Sequence, residues 1–186
     1  TQVSIENDVL DITRFELNEF AQESHRKSDQ KPSLKKHQNK QGHLIVHGRV
    51  NGLSNFLAQT RNSSAHADLK GQWKSLSWPL NRDNTETVLS NSHGSFVLRG
   101  HADDFKFTAN ADGESYSNQL TTDIDIRVLP QIIELNTVKF QTGETELDIS
   151  GQLGESLALN WHIVSPDLSV ISPNLSGDFK SQGQLK

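Results

Sequence analysis

Eight histidines and twenty-three acids in 186 residues are enough to build a metal centre or an acid–base pair, so their spacing decides whether one exists. His43 and His47 come nearest to a motif. On a strand they share a face but stand about 13 Å apart, whereas two ligands of one zinc ion must each lie about 2 Å from it. His93 and His101 would be further apart still, so no metal site is expected and the histidines read as solvent-facing. Asp123 and Asp125 share a face at about 7 Å, a separation that a glycosidase or a divalent cation could use. They are also the polar half of a regular alternation, the ordinary way to solvate a strand. Glu144, Glu146 and Asp148 read the same way. No nucleophile elbow, phosphate loop or kinase signature is present, and the serines lie in turns with no His and acid arranged beside them. Neither catalytic residues nor a cofactor is expected, and the protein does not read as an enzyme.

What recurs instead is an apolar pattern nine residues long. It appears as Gly42-His-Leu44-Ile-Val46-His-Gly48-Arg-Val50, as Gly94-Ser-Phe96-Val-Leu98-Arg-Gly100-His-Ala102 and as Thr145-Glu-Leu147-Asp-Ile149-Ser-Gly151-Gln-Leu153, with a weaker copy in Gly177-Asp-Phe179-Lys-Ser181-Gln-Gly183-Gln-Leu185. Apolar residues at every second position mark strands with one greasy and one wet face. The interior glycine falls on the greasy face each time, which signals a bend, a bulge or a close approach.

Composition sets the bounds. Counting glycine, about 39% of the residues are apolar, below the roughly 45–50% of an ordinary globular domain. A thick closed core is hard to fill from that supply. A net charge of −5 argues against nucleic acid as a partner. One stretch departs from the rule: six cations stand against one acid between Arg26 and Lys40. Solvation is its ordinary explanation, and contact with anionic lipid headgroups or an acidic partner is the alternative. Cysteine is absent, so disulfides and thiolate metal sites are unavailable. With no methionine, no signal peptide and no apolar run near 18 residues, the chain reads as a piece of a longer polypeptide whose anchor lies elsewhere.

Three regions follow. Residues 1–20 hold two short strands joined at Asn7-Asp8, residues 21–41 form a basic polar linker or long loop, and residues 42–186 carry the repeating strands. Ala65 to Trp73 alternate, and Leu76, Trp78 and Leu80 alternate again before a polar, turn-rich stretch over 81–93. Strand 94–102 turns at Asp103-Asp104 into Phe105, Phe107, Ala109 and Ala111, with Asp112-Gly113 as the next turn signal. Strands over 120–128, 132–140 and 157–163 complete the series, with very little helix. The fold class is therefore all-β: an elongated, curved, antiparallel-rich sheet. Curled about its apolar face without closing, it makes a trough. Leu44, Val46, Phe96, Leu98, Ile124, Ile126, Leu147 and Ile149 are its expected lining, and Trp73, Trp78 and Trp161 fit core or groove wall better than a sugar platform.

From about Ala65 to the end, roughly two thirds of the chain, the sequence resembles the periplasmic part of the TamB family, the translocation and assembly module proteins of the AsmA-like group in Gram-negative bacteria. The pieces that carry the resemblance are Leu76-Ser-Trp78-Pro79-Leu80, Gly94-Ser-Phe96-Val-Leu98-Arg-Gly100, Asp104-Phe105-Lys-Phe107, Ile133-Glu-Leu135-Asn-Thr-Val138, Gly143-Glu-Thr-Glu-Leu147-Asp-Ile149-Ser-Gly151 and Leu159-Asn-Trp161, in that order. The resemblance implies a taco-like sheet with an apolar groove, in a periplasmic protein anchored in the inner membrane by a helix outside these residues. It further implies a bridge to an outer-membrane barrel partner of the TamA type, with roles in moving phospholipid outward and in assembling outer-membrane proteins. Groove positions carried over from it are Phe96, Leu98, Phe105, Phe107, Leu147, Ile149, Leu159 and Trp161. A closed β-sandwich or solenoid binding module of a cell-surface protein is the alternative expectation.

Overall fold

The computed structural model describes residues 2–6, 8–18, 42–52, 65–78, 89–101, 103–116, 118–172 and 174–186. The basic segment 26–40 and the linker 21–41 lie outside them. Eleven strands form one sheet: β1 Gln2–Glu6, β2 Val9–Asn18, β3 His43–Asn51, β4 His66–Trp78, β5 Leu89–His101, β6 Asp104–Ser115, β7 Asn118–Val128, β8 Ile132–Thr142, β9 Thr145–Gly154, β10 Ala158–Ser165 and β11 Phe179–Leu185. Their spatial order is their chain order and all ten pairings are antiparallel. The sheet is not closed, and β1 and β11 are its edges. A single 3₁₀ turn, Leu168–Val170, is the only helical element among the described residues. A closed two-layer sandwich is not what these strands make. The two N-terminal strands belong to the same sheet as the rest, because β2 pairs with β3 across the intervening linker.

The recurring glycine has one structural meaning in its first three copies. Gly48, Gly100 and Gly151 have φ of 140°, 152° and 136°, outside the range that side chains adopt readily. In each, an added Cβ would stand 2.0 Å from a backbone oxygen of the next strand, that of Asp68, Asp104 or Ala158. The chain approaches its successor so closely that only hydrogen fits. The weaker copy differs: β11 has no following strand among the described residues, and the space beside Gly183 is taken by the Trp161 ring.

Three local expectations fail for physical reasons. Asp112-Gly113 is not a turn, because Gly113 is held within β6 by Leu89, Ser90 and Ser92 of β5, and the chain reverses at Tyr116 instead, with φ of 45°. β5 starts at Leu89, five residues before the motif, through a bulged segment that breaks period-two alternation. The runs on either side of Lys74 belong to one strand, β4, whose phase slips at Ser75 (φ 55°). Left-handed backbone costs a non-glycine residue about 1 kcal/mol or more. Ser75→Gly is therefore expected to raise stability by about 0.5–1 kcal/mol, read as a higher urea midpoint. A lower midpoint would show that the serine side chain contributes more than its backbone costs.

Candidate apolar face

Register turns the alternation of single strands into rows. One row crosses all eleven strands: Val3, Ile12, Gly48, Leu69, Leu98, Phe107, Ile126, Leu135, Gly151, Leu159 and Leu185, every member apolar or glycine. Beside it a second row joins Phe15 and Val46 to Phe96, Ile124, Val138, Ile149 and Trp161. A third runs from Leu10 and Val50 through Phe105 and Val128 to Leu153, and a fourth from Leu17 and Leu44 through Trp73 to Phe140, Leu147 and Ile163. With strands about 4.8 Å apart and rows two residues apart, the face measures about 48 Å by 20 Å.

All twelve residues named from the sequence lie on this face: Leu44, Val46, Phe96, Leu98, Phe105, Phe107, Ile124, Ile126, Leu147, Ile149, Leu159 and Trp161. None of the twelve is fully buried. The only buried apolar residues among those described are Val50, Ala65, Ala67 and Leu120. Val3, Ile5, Phe179 and Leu185 on the two edge strands are exposed, Ile5 by 64%. No second layer of described strands covers the face.

Two tryptophans show how the face is finished. The Trp73 ring lies over Gly94 of β5 and donates its indole N–H to Ser92 Oγ at 2.9 Å. Trp161 repeats the arrangement, lying over Gly183 of β11 and donating to Ser181 Oγ at 3.0 Å. Each ring covers the glycine's bare backbone and satisfies its own polar atom. Ser-x-Gly opposite a Trp was the sequence signal for this unit, in Ser92-His-Gly94 and Ser181-Gln-Gly183. Phe96 covers Gly71 in the same way. Trp78 ends β4, at the margin of the sheet.

At one margin the apolar face gives way to hydroxyls. Thr142, Thr145 and Ser165 are buried there, and Thr145 Oγ1 and Ser165 Oγ share a hydrogen bond of 2.8 Å. Next to them Asp167 caps the 3₁₀ turn through Ser169, which brings Val170 towards Gly143.

The opposite face is charged and internally paired. Asp11 pairs with Arg49, Asp68 with Arg99 at 3.0 Å, Lys106 with Asp125 at 2.9 Å and Lys139 with Asp148 at 3.5 Å. Arg127 grips Asp104 through two bonds of 2.7 and 2.8 Å and reaches Glu134 at 3.6 Å. Asp125, one of the paired carboxylates noted above, also accepts from Asn136 at 3.1 Å, which marks it as part of this lattice of surface pairs. Clefts of 720, 470 and 610 Å³ open on this charged side, and no cluster of three metal-ligating side chains occurs among the described residues. His66 and His101 face each other across β4 and β5 with ring centroids 4.8 Å apart. No described helix is long and apolar enough to cross a membrane.

Hydrogen bonds from Arg99, Arg127 and Lys106 hold the carboxyls of Asp68, Asp104 and Asp125 below the usual range. A depressed folded-state pKa contributes stability that is fully present above the unfolded value of about 3.9 and is lost as pH falls through the lower one. The melting temperature should stay level from pH 7 to about 5 and fall below about 4. Asp104→Asn should flatten that fall, and an unchanged acid limb would remove the pairs from the account.

No known protein family, curated protein or solved structure matches this chain.

Proposed function

We propose that this protein shields lipid acyl chains from water, as a segment of a periplasm-spanning bridge that carries phospholipid towards the outer membrane. The observation that carries the reading is the set of four apolar rows left half-exposed on one side of an open sheet. Each methylene exposed to water costs about 0.8 kcal/mol, so a 16-carbon tail needs cover worth roughly 12 kcal/mol. A continuous apolar face supplies that cover with no bond made or broken, so the role asks for no catalytic residue. On this reading the full-length protein is anchored in the inner membrane and meets a barrel partner of the TamA type, as the family resemblance implies.

Assembly of outer-membrane proteins is a companion role with its own support. Among the described residues β1 and β11 stand at the two edges of the sheet, with Val3, Ile5, Phe179 and Leu185 exposed. A nascent barrel strand, apolar on one side, can add to such an edge by backbone hydrogen bonding.

The test is photo-crosslinking in cells from a benzophenone side chain placed at Phe96 or Ile149, with Asp148 as the opposite-face control. Lipid adducts from the first two positions and none from the third are expected. Equal labelling from both faces would sink the conduit.

A further inference from the structure

The largest of the three clefts described opens on the charged face, with Ile45, Trp73 and Gly94 also in its lining, and its construction is unusual for a sheet. It spans β3, β4 and β5 around His43, Gln72, Lys74, Ser75, Asn91 and His93, with a volume of 720 Å³. Trp73 pairs with Gly94 and Leu76 with Ser92, so Lys74 and Ser75 together oppose His93 alone. A few residues on, Trp78 pairs with Leu89, so β5 is bulged in its turn, and it slips against β6 between Ser90 and His93 as well. Bulges re-aim side chains and take backbone groups out of the ladder. Ser75 and Asn91, with φ of 55° and 50°, are the only non-glycine residues with positive φ inside strands among those described, since Asp8 and Tyr116 occupy turns. Both border this cleft. Backbone strain held on two adjacent strands at one cavity is the mark of a site rather than of a turn.

Charge says what the cavity suits. Arg14, Arg49, Arg99, Lys106, Arg127 and Lys139 all stand against acids, and Lys70 feels Asp68. Lys74 stands in no ion pair among the described residues, and it lies directly opposite His43 in the register of β3 and β4. His93 Nδ1 lies 3.1 Å from the Asn91 carbonyl, which can only accept, so that nitrogen carries the proton. The other ring nitrogen points towards Asp112 at 3.9 Å, an acid beyond the cleft lining. The donors that remain for a ligand, the Lys74 ammonium, His43, the Gln72 amide and the Ser75 hydroxyl, come from two strands and offer more N–H and O–H groups than a planar carboxylate can accept.

We propose that this cleft binds a phosphate group. Its source is either a small soluble phosphate ester or the headgroup of a lipid, and the two are separable by experiment. Inorganic phosphate is titrated into the ¹⁵N-labelled protein, and amide shifts of Ser75 and Asn91 are followed by NMR. Saturable shifts at these residues are expected. Lys74→Gln should weaken binding about tenfold by removing the charge-assisted contact, Lys74→Arg should restore most of it, and Lys139→Gln, on the same face but paired with Asp148, should change nothing. Phosphatidylglycerol vesicles that displace inorganic phosphate in a Lys74-dependent way would identify a headgroup. Displacement by glycerol 3-phosphate without vesicle binding would identify a soluble ester. Shifts that never saturate, or equal losses in Lys74→Gln and Lys139→Gln, overturn the proposal. The result is independent of the acyl-chain reading, because none of these variants touches the apolar face.

Discussion

Gly151→Ala is expected to destabilise the protein by about 4 kcal/mol, the sum of forcing a methyl group into a filled space and of holding a side chain at a disfavoured φ. The new Cβ would stand 2.0 Å from the Ala158 carbonyl oxygen and 2.9 Å from the Leu159 Cα, at a φ of 136°. Neither neighbour is the yielding tip of a side chain. Both are backbone of β10, whose own pairings to β9 and β11 would have to shift with them. Set against a total stability of about 5–15 kcal/mol, such a loss places the protein near its unfolding threshold. Gly177 supplies the control: its φ is 103°, but nothing lies within 4 Å of an added Cβ. Gly177→Ala should therefore cost only the conformational part, about 1–2 kcal/mol. Urea midpoints read both. If the two variants lose the same small amount, close strand approach is not what the glycine motif encodes.

The second large effect concerns cargo rather than stability. Ile149→Asp is expected to cut phospholipid recovered with the purified protein at least about tenfold, because a carboxylate must lose its water where the acyl chain lies. Because Ile149 is half-exposed on an uncovered face, the new carboxylate stays hydrated in the empty protein, and the folding cost should be no more than about 2 kcal/mol. The pairing of a small stability loss with a large lipid loss is the signature of an open face. In a sealed core the same change would unfold the chain. Asp148→Asn, one residue away on the other side, removes only an exposed pair with Lys139, worth under about 1 kcal/mol, and should leave recovered lipid unchanged. Mass spectrometry of extracted lipid and a melting curve on the same preparation decide it. Equal lipid loss in both variants would disconnect the apolar rows from lipid.

Most of the sheet was legible because alternation is a local property. Leu120 to Val128 state their two faces without reference to any other strand, and the eight lining residues chosen by that rule share one side of the sheet with Phe105, Phe107, Leu159 and Trp161, which the resemblance added. What alternation cannot state is register between strands, since pairing depends on both partners. The continuity of Val3 with Leu185 through nine intervening residues emerges only from the pairings. Irregular positions were the least visible. The slip at Ser75 makes one strand look like two, and Gly113 looks like a turn until β5 is seen to crowd it. The charged-face cleft was invisible for the same reason, as it is made of bulges, and a bulge in sequence is indistinguishable from a broken pattern. Charges on the wet face were read as solvation, whereas six of the described basic residues stand in ion pairs.

Every one of the ten strand pairings joins neighbours in the chain, so no hydrogen-bonded ladder waits for a distant partner to be made. Loop closure is cheap at each step, and the sheet can grow by adding hairpins to a finished edge during synthesis. Length is then a free variable. A lineage can lengthen or shorten such a ribbon one hairpin at a time, matching the gap it must span, with little disturbance beyond the adjoining strand.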